Sequence, residues 1–236
     1  MGRRLSVCVA SALFCVGLLI LLYPYINGAR LEHRSSSAAE SFISAYSVIT
    51  APPETTAQPN AELYNAMQEY NRRIYEENQS GLSDPSAYES AAIDLSAYGV
   101  EDGIVAVLTI PALELEMPVY LWASYENMAA GAAVLGQTSL PIGGSSTNCV
   151  IAGHRGWNGA AYFRYIDLLQ PGDEVLVTNL WETLSYTVSE IQVIDPNDVK
   201  KVFIQDGREL LTLLTCHPYA SGGQYRYLVI CERSAP

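Results

Sequence analysis

Histidine is scarce in this 236-residue chain, occurring only at His33, His154 and His217. No His/Cys/carboxylate cluster has metal-ligand spacing, and no Gly-rich phosphate loop occurs, so the sequence implies neither a metal nor another cofactor. Positive charge is also short: 13 Lys and Arg stand against 25 Asp and Glu, a net charge of −12. Such a chain repels phosphate backbones, which excludes nucleic acid as an expected partner. Phenylalanine is rare, 4 residues against 16 tyrosines, and that balance suits strands whose aromatic tips meet water. No internal repeat is visible.

What is present begins with a charge-free run, Leu5 to Ile26, behind the basic tip of residues 1–4. As a helix it would be about 33 Å long, enough to cross the hydrocarbon core of a membrane. Arg3 and Arg4 favour a cytoplasmic N-terminus, leaving the rest outside. A cleaved signal peptide is the alternative. The run is long for one and lacks a clear small-x-small site before Asn27-Gly28-Ala29, so an uncleaved anchor in membrane lipid is the preferred reading. MGRRLS also fits a myristoylation start, which a spanning helix makes redundant. Cys8 and Cys15 lie within the run. Cys149, Cys216 and Cys231 remain outside it, an odd number, so at most one disulfide forms and at least one thiol stays free.

Residues 27–60, rich in Ser, Ala, Thr and Pro, read as a linker, although FISAYSVI within it could order. Leu63, Met67, Tyr70 and Ile74 recur at helical spacing and predict an amphipathic helix over 61–78, closed by Gly81. From Gly103 to the end at 236, short β-branched runs are separated by turn signals such as Ile142-Gly143-Gly144 and Gln170-Pro171-Gly172-Asp173. They predict a mainly β domain, a closed or nearly closed barrel or a sandwich, with short helices at 126–135 and 160–169. Cys149 and Cys231 fall on apolar strands as core residues. Their pairing is conceivable, with nothing in the sequence to set the distance.

Cys216 ends the run TLLTC and is either a packed thiol or a nucleophile. Its neighbour His217 would point to the opposite face of a strand, which makes it a poor partner. His154 ends another strand, CVIAGH, and two strand ends on one rim could meet. Arg155, Arg226 and Arg233 are candidate cations. A hairpin of TLLTC with RYLVI would set Arg226 beside Cys216, where a guanidinium can donate two hydrogen bonds to a developing oxyanion. Trp157 either lines the groove or is an exposed turn aromatic.

The ordered set Thr212-Leu213-x-Thr215-Cys216, Arg226 and the upstream GHRG with His154 resembles the sortases, membrane-anchored cysteine transpeptidases of Gram-positive surfaces. GAAVLGQTSLPIGGSSTNCVIAGHRG is similar to the pilin-polymerising class C, and the matching segments cover most of residues 104–233. The resemblance implies a closed barrel of about eight strands at 103–236, preceded by an N-terminal helix and lid at 61–102. It implies Cys216 as nucleophile, His154 as general acid and base, Arg226 as stabiliser of the oxyanion and substrate, and Thr215 in the substrate groove. Asp84-Pro85 stands where the class C lid motif belongs. Ser86 replaces the expected aromatic, so either Tyr88 supplies the ring or the pair is a plain turn. The class often adds a C-terminal membrane helix; this chain ends ICERSAP, so the expected anchor is N-terminal.

The substrates so implied are surface proteins or pilins bearing an LPxTG-like sorting signal, and the acceptor is an amine. A pilin lysine would mean pilus assembly, and a cell-wall cross-bridge amine would mean wall anchoring. Two further readings stay open: a catalytically silent peptide-binding barrel and a plain cysteine peptidase.

Overall fold

Short strands with polar turns between them pair edge to edge until no edge is left. The computed structural model describes residues 2–46, 60–80, 82 and 93–234. Its strands are β1 (Ile104–Ile110), β2 (Leu115–Tyr120), β3 (Ala132–Val134), β4 (Thr147–Ala152), β5 (Glu174–Asn179), β6 (Thr183–Ile194), β7 (Glu209–His217) and β8 (Tyr225–Arg233). They close into a barrel in the order β1-β2-β3-β4-β7-β8-β6-β5, with β5 back on β1. Closure removes the unpaired strand edges that would otherwise invite aggregation. The β2–β3 and β4–β7 pairs are parallel and the other pairs antiparallel.

Side chains alternate across each strand, and in β4, β7 and β8 both faces are covered. Cys149, Ile151, Leu211, Leu213, Val229 and Cys231 join the main core. Their even-numbered neighbours Val150, Ala152, Leu210, Leu214, Leu228 and Ile230 join a second core with Met128 and Val202. That explains why these strands read as continuous apolar runs, whereas β6, wet on one face over its first half, alternates.

Helix α2 (Ala61–Glu76) buries Leu63, Met67, Tyr70 and Ile74, the expected stripe, together with Asn71. Asn71 Oδ1 accepts from Leu140 N at 2.7 Å, and its Nδ2 donates to Leu140 O. The TSLPIGG segment is thus where α2 docks. Its Thr138 and Ser139 hydroxyls also accept from the backbone of β4 at Val150 and Asn148.

The structure departs from the sequence reading in three places. Residues 27–46, expected as linker, continue the apolar helix without a break, so that α1 spans Gly2–Tyr46. The cause is a stripe of small and apolar residues at helical spacing: Gly28, Ser35, Ala39 and Phe42 are buried and Leu31 partly so. The remainder of the linker up to residue 59, and Gly81, lie outside the described residues. Helix α3 (Tyr125–Ala130) is shorter than the expected 126–135, because Ala132–Val134 pair instead as β3. The expected helix at 160–169 is reduced to a single tight turn, Ile166–Leu168. Cys149 and Cys231, core residues as expected and left open to pairing by the sequence, are both free. Each stands opposite Leu211 on strands that flank β7, about 10 Å apart at two strand spacings. A disulfide spans less than about 7 Å between Cα atoms.

Candidate active site

Because β4 and β7 are parallel and adjacent, their C-terminal ends reach the same rim. Ala152 pairs with Leu214, and two residues further along each chain stand His154 and Cys216. β8 runs back from that rim, and its Arg226 is the direct cross-strand partner of Cys216. Three residues scattered through the sequence are gathered by one parallel pairing and one hairpin. They line a cavity of about 180 Å³ with Thr215, Gly153, Met128, Ala123, Leu135, Ala152 and Leu214. Larger clefts, of 330 to 380 Å³, lie against α1, α2 and the 93–103 segment and contain none of these three residues.

Cys216 is half-buried. A Cβ added at Gly223 would stand 3.2 Å from both Cys216 Sγ and Arg226 Nη1, so only glycine leaves that space open. Gly223 also has φ +82°, a left-handed conformation that disfavours other residues. Its carbonyl accepts from Arg226 Nη1 at 2.8 Å, which holds the guanidinium over the turn. Thr215 is buried and donates to Gly153 O at 2.7 Å, and Gly153 N donates to Leu214 O at 3.0 Å. Those bonds tie the residue before His154 to the strand that carries Cys216. Thr215 thus lines the cavity and clamps the two strand ends together.

The His154 ring lies 4.4 Å from the ring of Trp157 and within 11° of parallel. Its Nε2 is buried without a hydrogen-bond partner among the described residues. Burial lowers its pKa, because an imidazolium there loses its hydration. A neutral imidazole can take a proton from a thiol and then return it to a leaving amine. The two other thiols of the barrel behave differently. Burial raises Cys149, and it pushes Cys231 up to about 12, so both are inert core groups.

His217, one residue past Cys216, points to the other side as expected, yet it is no bystander. Arg155, one residue past His154, donates from Nη1 to His217 Nδ1 at 2.9 Å. Arg155 also pairs with Asp167 at 2.6 Å and lies over the Tyr227 ring at 5.3 Å. A latch centred on the buried Arg155 therefore backs the rim that carries His154 and Cys216. The third candidate cation, Arg233, is at the far end of β8, beside Glu209 and over Tyr186. Trp157, either a groove residue or an exposed turn aromatic by sequence, is half-buried and stacks on His154. No group of three or more His, Cys, Asp or Glu that could hold a metal occurs among the described residues. Asp84, Pro85 and Tyr88 lie outside the described residues.

Gly153 and Gly223 were missed as site residues, and the signal for them was weak: one precedes the histidine, the other ends a Gly-Gly turn. A Cβ at Gly153 would meet the Phe163 ring at 2.6 Å.

Known proteins resemble this chain in sequence and in fold. A family model described as Sortase domain matches residues 108–234. Sortase A of Bacillus anthracis is 23% identical over 214 residues, 91% of this chain and 88% of that protein. Sortase C1 of Streptococcus agalactiae, solved as a complex with MTSET, superposes with a TM-score of 0.72 at 25% identity, over 84% of this chain and 97% of that one. Clostridium perfringens sortase C with the C-terminal cell wall sorting motif gives 0.69 at 26% identity, over 86% and 100%. With more than half of its length in the matching domain and pilus-related sortase C among its structural neighbours, the chain belongs to the sortase family of cysteine transpeptidases.

Proposed function

We propose that this sortase is anchored by α1 and cleaves an LPxTG-like sorting signal, passing the acyl group through a Cys216 thioester to an amine, a pilin lysine in the first instance. The observation that carries the reading is the β4–β7 register, which brings His154, Cys216 and the cross-strand Arg226 to one cavity.

Cys216 loses its proton to His154 and its sulfur attacks the carbonyl carbon of the scissile Thr–Gly-type bond. Arg226 donates to the oxygen as negative charge develops there. The C–N bond breaks and the departing amine takes the proton from His154, leaving a thioester. An incoming amine attacks that carbon and gives a proton to His154. The C–S bond then breaks and the thiol is restored. Asp84, Pro85 and Tyr88 are assigned to a lid over the same cavity, on sequence grounds alone; such a cover would favour an amine over water. The proposed orientation leaves the barrel outside the cell and residues 1–4 inside.

The test is a product analysis by mass spectrometry, with a sorting-signal peptide and with or without a lysine-containing acceptor. Transpeptidation gives a joined product that depends on the acceptor. Hydrolysed acid alone, whatever the acceptor, would assign a peptidase instead.

A further inference from the structure

The segment that continues α1 past the apolar run docks on the barrel beside the catalytic histidine. Gly28 is buried there, and a Cβ on it would stand 2.5 Å from the Gly159 backbone. A Cβ at Gly159, whose φ is +95°, would stand 2.0 Å from the Pro24 carbonyl. Two glycines thus let the helix backbone lie directly on the 157–160 turn. Asn27 Nδ2 donates to Asn158 O at 2.9 Å, and Glu32 accepts from Ala161 N at 2.9 Å. These contacts leave no free tether between the apolar helix and the barrel. The height of the barrel above a membrane is then fixed by where residues 24–28 sit.

Those residues sit where a span would end. At 1.5 Å per residue, Arg30 is only about 6 Å past Ile26, within the roughly 5–7 Å headgroup layer of one leaflet. Arg30, His33 and Arg34 are exposed on the helix face turned away from the barrel, at spacings of three and four. Arg30 is thus set to meet lipid phosphates in a chain that is otherwise acidic, with His33 and Arg34 on the same face one turn above it. On the barrel side, level with residues 24–28, the turn carries Trp157, partly exposed and stacked on His154. Tyr125, 61% exposed, packs edge-on against Trp157 at 6.0 Å. Tyr23 and Tyr25 are exposed on the helix itself. Tryptophan and tyrosine favour this depth because one end of the ring is apolar and the other wet.

From this juxtaposition we infer that the His154 rim is seated in the headgroup layer of the anionic membrane surface, with Trp157 and Tyr125 as interfacial anchors and Arg30 on lipid phosphates. The inference rests on the anchor reading of α1, and the experiment separates the two. The full chain is reconstituted in phosphatidylglycerol-containing vesicles whose lipids are brominated near the top of the acyl chain. Flotation reports anchoring, and tryptophan quenching reports depth. Of the three tryptophans, Trp122 and Trp181 are 4% and 1% exposed, so Trp157 is the reporter.

The expected result is flotation together with quenching that the Trp157→Phe chain loses. Quenching should also fall about twofold or more in Gly28→Ala/Gly159→Ala, which forces helix and turn apart while the chain still floats. Flotation with no quenching, or with quenching unchanged in Trp157→Phe, would overturn the seating while leaving the anchor intact. Failure to float would overturn the anchor reading and the seating with it.

Discussion

Arg155 Nη1 donates to His217 Nδ1 at 2.9 Å, and each of these residues immediately follows one of the candidate catalytic pair, His154 and Cys216. Just past the parallel β4–β7 pairing, His154 and Cys216 line the cavity, and the residues that follow them, Arg155 and His217, contact each other. The latch and the candidate pair thus both follow from the pairing of β4 with β7.

Arg155→Ala should therefore cost about 1–3 kcal/mol in denaturant unfolding, since the buried guanidinium holds Asp167, His217 and the Tyr227 face together. His217→Ala should cost less, about 1 kcal/mol. The double variant should show a coupling of about 0.5–3 kcal/mol. Strict additivity would mean that the contact carries no energy.

Gly153→Ala tests how tightly His154 is placed. Its Cβ would meet the Phe163 ring at 2.6 Å, so the strand end or the ring must shift. A displacement of about 1 Å at a catalytic base costs about 100-fold in kcat. Peptide cleavage assays on folded protein should show that loss, and activity within a few-fold of the original would contradict the tight placement.

Asn71→Ala should release α2 from the barrel. The side chain serves both the N–H and the carbonyl of buried Leu140, and leaving those groups unserved costs about 2 kcal/mol. Unfolding by urea would measure it. Hydrogen exchange should rise at 61–76 and at 138–144.

Much of this was legible in the sequence, for identifiable reasons. The face of α2 followed from Leu63, Met67, Tyr70 and Ile74, because helical periodicity survives in a half-buried helix. Cys216 opposite Arg226 followed from hairpin logic, since a short Gly-rich loop leaves antiparallel neighbours little choice of register. The docked half of α1 was hidden: its contact residues Gly28, Ser35 and Ala39 are small, and a serine- and alanine-rich stretch reads as linker until a surface is present to receive it. The Arg155–His217 latch was hidden too, because the parallel β4–β7 pairing joins segments that have no local signal for each other.

The pH dependence of stability isolates His154. Burial depresses its folded pKa below the ordinary value of about 6.5, so the unfolded chain takes up that proton first. Its contribution is intact above about pH 6.5 and is lost as pH falls towards and through the lower folded value. The fall in melting temperature between about pH 8 and about pH 5 should be smaller in His154→Gln than in the original chain. Equal falls would place the acid sensitivity elsewhere.

A covalent acyl intermediate on Cys216 can be trapped. The chain is incubated with a sorting-signal peptide and no acceptor amine, quenched in acid, and weighed intact by mass spectrometry. The expected result is a mass gain equal to the N-terminal cleavage fragment, located on the peptide carrying Cys216, released by hydroxylamine, and absent from Cys216→Ala. A Cys216→Ala chain that still cleaves the peptide and joins it to an added amine would contradict it.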